Sequence, residues 1–180
     1  MTRTLRRSAL LSLLLAAALP AQAYDGEIAF TGNITTTTCY VSTADQHKTV
    51  ALPSVSTDAF GLGNHWAGRT PFSIRLNGCN NEEIGLYFEP VAGAVHADGT
   101  LKNSDASNGG SNIALRLLNA DGDTINLNGT SLAEQNGSKL VPIGEDSAGD
   151  LHYFVEYYSS AGNATAGAVA ASTYFTIVYP

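Results

Sequence analysis

The sequence predicts an all-β protein of the sandwich or barrel type. Three observations predict it: turn-forming clusters recur along the chain, the segments between them alternate with period two, and helix-like stretches are scarce. The turn clusters are Asn77-Gly78, Ala97-Asp98-Gly99, Ser107-Asn108-Gly109-Gly110, Asp121-Gly122, Asn128-Gly129, Asn136-Gly137 and Ala161-Gly162-Asn163. Each supplies residues that reverse a chain between strands.

The alternating runs follow in order. Phe72, Ile74 and Leu76 alternate with Ser73 and Arg75, and Ile84, Leu86 and Phe88 with Gly85, Tyr87 and Glu89. Leu115 and Leu117 flank Arg116. Leu151, Tyr153, Val155 and Tyr157 alternate with His152, Phe154, Glu156 and Tyr158. Val169, Ala171, Thr173, Phe175, Ile177 and Tyr179 form the last set. Period two places each set on one side of a sheet. The one helical candidate is a short turn around Ser56 to Leu62. No repeat, low-complexity tract or internal linker interrupts the pattern.

The first residues have a different character. Arg3, Arg6 and Arg7 precede an uncharged apolar run from Leu10 to Leu19, and Ala21-Gln22-Ala23 has the A-x-A form of a cleavage site. This combination predicts a secretory signal peptide over residues 1–23. The apolar run is about half the ~20 residues that span a bilayer, so a membrane anchor is the poorer reading. The expected mature chain starts at Tyr24, is soluble and has the length of one domain.

Without the leader, six Lys and Arg face sixteen Asp and Glu, a formal charge of −10. With no basic cluster, such a chain repels nucleic acid and anionic membrane, so neither is expected as a partner. Cys39 and Cys79 both lie in the exported part. An oxidising compartment favours one disulfide between them. It would close a loop of about 40 residues, worth about 4 kcal/mol in the chain-entropy model. Free thiols or a metal pair are the alternatives, and no CxxC or neighbouring His supports either.

Catalytic chemistry is not expected. His47, His65, His96 and His152 are scattered without ligand spacing. No G-x-S-x-G or other nucleophile–base set is recognisable. Glu82-Glu83 reads as a charged turn. Asn119, Asp121 and Asp123 begin like a calcium loop but lack its Gly and closing Glu, so Asp121-Gly122 reads as a hairpin turn. No metal and no cofactor are predicted.

One strand stands out by position. In Glu27 to Thr35, Ile28, Phe30, Gly32 and Ile34 share a face, a few residues from the expected mature N-terminus. On pattern alone it is an ordinary first strand of the sandwich. Gly32 inside it is unfavourable by ~0.5–1 kcal/mol against Ala, and close approach of another backbone is one reason for it.

From Gly26 the chain reads G-E-I-A-F-T-G-N-I, then T-T-C-Y-V, V-A-L-P-S-V-S and F-S-I-R-L-N-G-C. D-G-T-L-K-N follows at Asp98 to Asn103, and Y-F-T-I-V-Y at Tyr174 to Tyr179. In joint order and spacing this resembles the type 1-like pilins of Gram-negative bacteria, assembled by the chaperone–usher pathway, over Gly26 to Tyr179. A penultimate Tyr and a Gly fourteen residues from the end match the family at Tyr179 and Gly167. The last residue, Pro180, departs from the polar residue many members carry.

The resemblance implies an incomplete immunoglobulin-like β-sandwich that lacks its last strand and carries an N-terminal donor strand. The implied organisation is a signal peptide over 1–23, a donor-strand extension over 24–36 and a pilin domain over 37–180. Gly26, Ile28, Phe30, Gly32 and Ile34 would enter a neighbouring subunit's groove. Gly167, Val169, Ala171, Thr173, Phe175, Ile177 and Tyr179 would form the strand that meets first a periplasmic chaperone and then that neighbour. The groove would lie between this strand and the first one, near Cys39 to Val41.

The expected partners are neighbouring pilin subunits in a head-to-tail polymer, the periplasmic chaperone, the outer-membrane usher and, at the level of the fibre, a host glycan. The expected place is the cell surface, reached through the periplasm. Two other readings stand beside this one. A one-domain minor or tip-proximal subunit could bind a carbohydrate receptor, with His65 and Trp66 as a stacking patch, although a buried or half-buried Trp is the commoner case. A secreted sandwich, enzyme or binding module, could complete itself with its own N-terminal strand.

Overall fold

The structure, a computed structural model, describes Ala29 and residues 39–61, 65–79, 83–110, 112–135, 139–144 and 148–180. The expected leader and Gly26, Ile28, Phe30, Gly32 and Ile34 lie outside the described residues.

Among the described residues eight strands follow in order: β1 Tyr40–Val41, β2 Trp66–Asn77, β3 Glu83–Pro90, β4 Leu101–Lys102, β5 Ala114–Asn119, β6 Val141–Pro142, β7 Ala148–Tyr158 and β8 Thr173–Val178. They form a five-stranded sheet in the order β1-β2-β7-β5-β4 and a three-stranded sheet in the order β6-β3-β8. Every pairing is antiparallel. The predicted short turn is a 3-10 helix, Thr57–Ala59, whose Asp58 N–H is capped by the Ser56 hydroxyl at 3.2 Å. A second one, Ala106–Asn108, is not signalled by the sequence pattern.

Strand alternation builds the core. Ile74 and Leu76 of β2, Leu115 and Leu117 of β5, and Leu151, Tyr153 and Val155 of β7 meet Ile84, Leu86 and Phe88 of β3 in one buried cluster. Phe88 sets its ring edge-on to Tyr153 across the sheets, centroids 5.2 Å apart. Each fully buried aliphatic side chain contributes about 1.5–3 kcal/mol. Facing sheets joined by such a core make an immunoglobulin-like sandwich, incomplete at one edge.

β2 and β7 are the long central pair, in register from Trp66↔Tyr158 to Asn77↔Ala148 with an irregularity between Ala67 and Thr70. Gly68 sits in that irregularity at φ +65°, and a Cβ there would stand 2.9 Å from the Tyr157 ring. A bulge of this kind twists the strand and re-aims the residues after it. Cys39 and Cys79 form the disulfide, with Cα atoms 4.7 Å apart. It closes the end of the β1–β2 pairing beside Tyr40↔Asn77.

Candidate functional site

The two sheets do not close on each other at every edge. β8 pairs with β3 from Gly85↔Val178 to Pro90↔Thr173, and its other edge has no strand partner among the described residues. β1 is likewise terminal in its sheet. Beside the start of β8 a cleft of about 300 Å³ opens into the core, lined by Ile74, Leu115, Leu117, Val155, Phe175 and, from the segment after β1, Val50 and Leu52. Gln46, His47 and Lys48 lie along it as a polar rim.

The period-two pattern sets what β8 presents. Phe175, Ile177 and Tyr179 pack on the core yet stay only partly buried, while Tyr174 points outward at 70% exposed. Inward-facing large residues that remain half-exposed mark a core short of one strand. An open edge beside an apolar cleft is a template for another chain.

β8 is tied at both ends. At the C-terminal end of β8 the buried Cys39 N–H donates to the Tyr179 hydroxyl at 2.9 Å. At the other end, Asn103 and Ser104, just after β4, hold the backbone of Ala168 and Ala170. The expected strand therefore divides in two. The ladder starts at Thr173, and Gly167, Val169 and Ala171 run along the loop after β4 instead of in the sheet.

The polar groups near the cleft are satisfied locally. Asp45 accepts from the Lys48 ammonium at 2.6 Å and the Arg75 N–H at 2.7 Å. These contacts, Lys48 first, hold its carboxyl below the ordinary value. Burial pushes the Tyr153 phenol up to about 12. Gln135, fully buried, accepts from the Phe88 N–H at 3.1 Å and donates to the Phe88 carbonyl at 2.6 Å, so its amide covers the far edge of β3.

On the outer face of the larger sheet, the fully buried Glu156 accepts from Arg69 and Arg116, each Nε at 2.7 Å. Arg69 lies over Trp66, 4.7 Å from the ring centre, and Arg116 over Tyr158 at 4.6 Å. Trp66 is 42% exposed, not buried, with Arg69 stacked on it. His65 has its Nδ1 3.0 Å from the Ser159 carbonyl. The Asp121-Gly122 reading as a turn agrees with the structure, since Gly122 N–H donates to Asn119 and Leu118 bridges Thr124. Among the described residues no group of three His, Cys, Asp or Glu side chains is placed to hold a metal ion.

The described residues thus form an incomplete immunoglobulin-like sandwich with an apolar cleft beside the free edge of β8, the class of fold found in pilus subunits. A family model described as fimbrial protein matches residues 28–180, and the chain belongs to that family. It is 38% identical over 170 residues to the major fimbrial subunit SMF-1 of Stenotrophomonas maltophilia, covering 93% of this chain and 99% of that one. It is 38% identical over 163 residues to the F17 fimbrial protein of Escherichia coli, covering 87% and 88%. Among solved structures it resembles the P pilus rod subunit PapA, with a TM-score of 0.56 and 19% identity over 79% of this chain and 99% of that one. It also resembles a chain of a chaperone–usher pilus, with a TM-score of 0.57 and 20% identity over 92% and 100%. At these identities the structural likeness establishes the fold.

The chain is thus a structural subunit of a bacterial surface fimbria, in a family whose members polymerise with one another and are not enzymes.

Proposed function

We propose that copies of this chain join head to tail by donor-strand exchange. The observation that carries the reading is the cleft flanked by the open edge of β8. In this reading residues 1–23 are a removed leader, 24–36 are the donor and 37–180 form the acceptor domain. Gly26 to Ile34 spans nine residues, about 30 Å of extended chain, the same length as Ala171 to Tyr179. Ladder bonds to β8 supply affinity, and alternate side chains in the cleft supply specificity. Ile28, Phe30 and Ile34 each contribute about 1.5–3 kcal/mol by burial. Gly32 lets the two backbones approach closely where the cleft is shallow.

Until a neighbour arrives, a periplasmic chaperone covers the same edge along Gly167, Val169, Ala171, Thr173, Phe175, Ile177 and Tyr179, and an outer-membrane usher exports the growing polymer. A contact of this kind is heterologous and does not close, so it generates a filament. Receptor contact with a host glycan, and with it cell adhesion, belongs to the finished fibre.

The test is an SDS gel of surface material sheared from expressing cells, loaded without boiling, beside a boiled sample and a Phe30→Asp variant. The expected result is a ladder of multimers that boiling collapses and the variant lacks. A single monomer band in every lane would refute polymerisation by strand exchange.

A further inference from the structure

At the end of β8 away from Tyr179, the run into the strand is held by a loop rather than by a strand. The Asn103 amide does most of the holding. Its Nδ2 donates to the Ala168 carbonyl at 2.9 Å and to the Gly110 carbonyl at 3.1 Å. Its Oδ1 accepts from the Ala170 N–H and from the Asp105 N–H, each at 3.0 Å. Two donors and two acceptor sites are all that a carboxamide has, so the side chain is saturated. Ser104 donates to the Ala170 carbonyl from its N–H at 2.8 Å and its hydroxyl at 2.9 Å. The Gly110 N–H reaches the Ala166 carbonyl at 3.1 Å, and Gly109 bridges Gly167.

The two backbones cross where neither residue has a side chain. At Gly167, φ +156°, a Cβ would stand 2.2 Å from Gly109 C and Gly110 N, with backbone on the other side that cannot swing away. The crossing thus requires glycine, and it brings Asn103 within reach of Ala168 and Ala170.

The connectivity gives this contact its meaning. Residues 103–110 leave β4, the last strand of the five-stranded sheet, while residues 166–172 lead into β8, the last strand of the other. The loop therefore ties one sheet to the other at the start of β8, beside Ala171 of the cleft, as the Cys39–Tyr179 bond does beyond its far end.

We infer that Asn103 is a positioning residue for strand acceptance: it clasps residues 168–170 to the five-stranded sheet and thereby fixes the width of the cleft and the start of β8's open edge. The inference rests on the reading of the cleft as the acceptor for a second copy's strand. Asparagine suits the task because one short planar group offers two donors and two acceptor sites to backbone partners on both sides. Aspartate at this place would lose both donors and set a carboxylate oxygen against two carbonyls.

The experiment uses the full exported chain with Asn103→Ala, Asn103→Asp and Ser104→Ala, beside Leu118→Val as a control. Leu118 is buried on β5 outside the core cluster that lines the cleft. Two readouts are taken: amide exchange along residues 166–173, and the yield of multimers that resist SDS. In Asn103→Ala and Asn103→Asp, exchange at Ala170 and its neighbours rises about tenfold or more while β2 and β7 amides stay protected, and multimer yield falls about fivefold or more. Ser104→Ala, which removes one bond, moves both readouts in the same direction by about two- to threefold. Leu118→Val leaves both near wild type. Unchanged exchange at Ala170 overturns the clasp, and so does a multimer yield no lower in Asn103→Ala than in Leu118→Val. Absence of multimers in the wild-type lane would instead sink the acceptor reading, and the exchange data alone then decide whether Asn103 orders the run into β8.

Discussion

Replacing Tyr179 by Phe removes one atom from the far end of β8, and the structure sets the size of the effect. The Cys39 N–H is buried and donates to the Tyr179 hydroxyl at 2.9 Å. The phenyl ring, packed on the core, is retained, so hydrophobic burial is unchanged to first order. The net value of such a hydrogen bond is about 0.5–1.5 kcal/mol, and a buried donor left without a partner costs about 1–3 kcal/mol. Because Tyr179 is only partly buried, water can reach the vacated site in part, which places the loss at about 1–2 kcal/mol. For a domain of this length that lowers Tm by about 3–6 °C. The assay is thermal unfolding of the full exported chain, with exchange of the Cys39 amide as the local readout. Tyr174→Phe is the control, since Tyr174 faces outward at 70% exposed and its loss of a hydroxyl should change little. A Tyr179→Phe variant that melts within about 1 °C of wild type, with the Cys39 amide equally protected, would refute the claim that this bond ties the two open edges together.

Two further perturbations test other parts of the framework. Glu156→Gln takes the shared carboxylate from between Arg69 and Arg116, whose side chains still reach solvent at 35% and 20%. The expected loss is about 2–4 kcal/mol, below the usual figure for a fully buried pair because that exposure screens it, and a urea midpoint that does not move would contradict it. Tyr153 provides an alkaline signature. Its folded pKa of about 12 lies above the ordinary 10.0, so the unfolded chain releases this proton first. Stability is then constant with respect to this group below pH ~10 and falls by about 1.4 kcal/mol per pH unit until ~12. Tyr153→Phe should lose stability less steeply across that window, and an unchanged slope would refute the assignment.

The long strands were legible because each carried two or more alternating apolar residues with turn residues at its ends, as in Ile84-Gly85-Leu86-Tyr87-Phe88. The two-residue strands β1, β4 and β6 carry no period at all, and only long-range pairing defines them. The last strand shows the limit of pattern reading. Val169, Ala171 and Thr173 continue the alternation of Phe175 and Ile177, yet the ladder begins at Thr173 because Asn103 and Ser104 capture the backbone before it. Glu156 reads as a solvent-facing residue of β7, but it is fully buried under two arginines brought from β2 and β5. Gln135 beside a turn gives no local sign that its amide caps β3. Trp66 resisted for a related reason: its partner Arg69 is a neighbour only after the bulge in β2 has turned. The cleft itself was legible only through the family resemblance, because an absent strand leaves no mark on local periodicity.

The most direct test of the central claim asks which copy fills which cleft. Two variants are co-expressed, one carrying Phe30→Cys and the other Ile177→Cys, and the fibres are treated with a short thiol-to-thiol cross-linker. The account predicts a covalent dimer containing one copy of each variant, formed only when both are present. A chain carrying both substitutions that cross-links to itself as a dilute monomer, with no mixed dimer from the co-expressed pair, would show that the N-terminal strand completes its own fold and would contradict head-to-tail assembly.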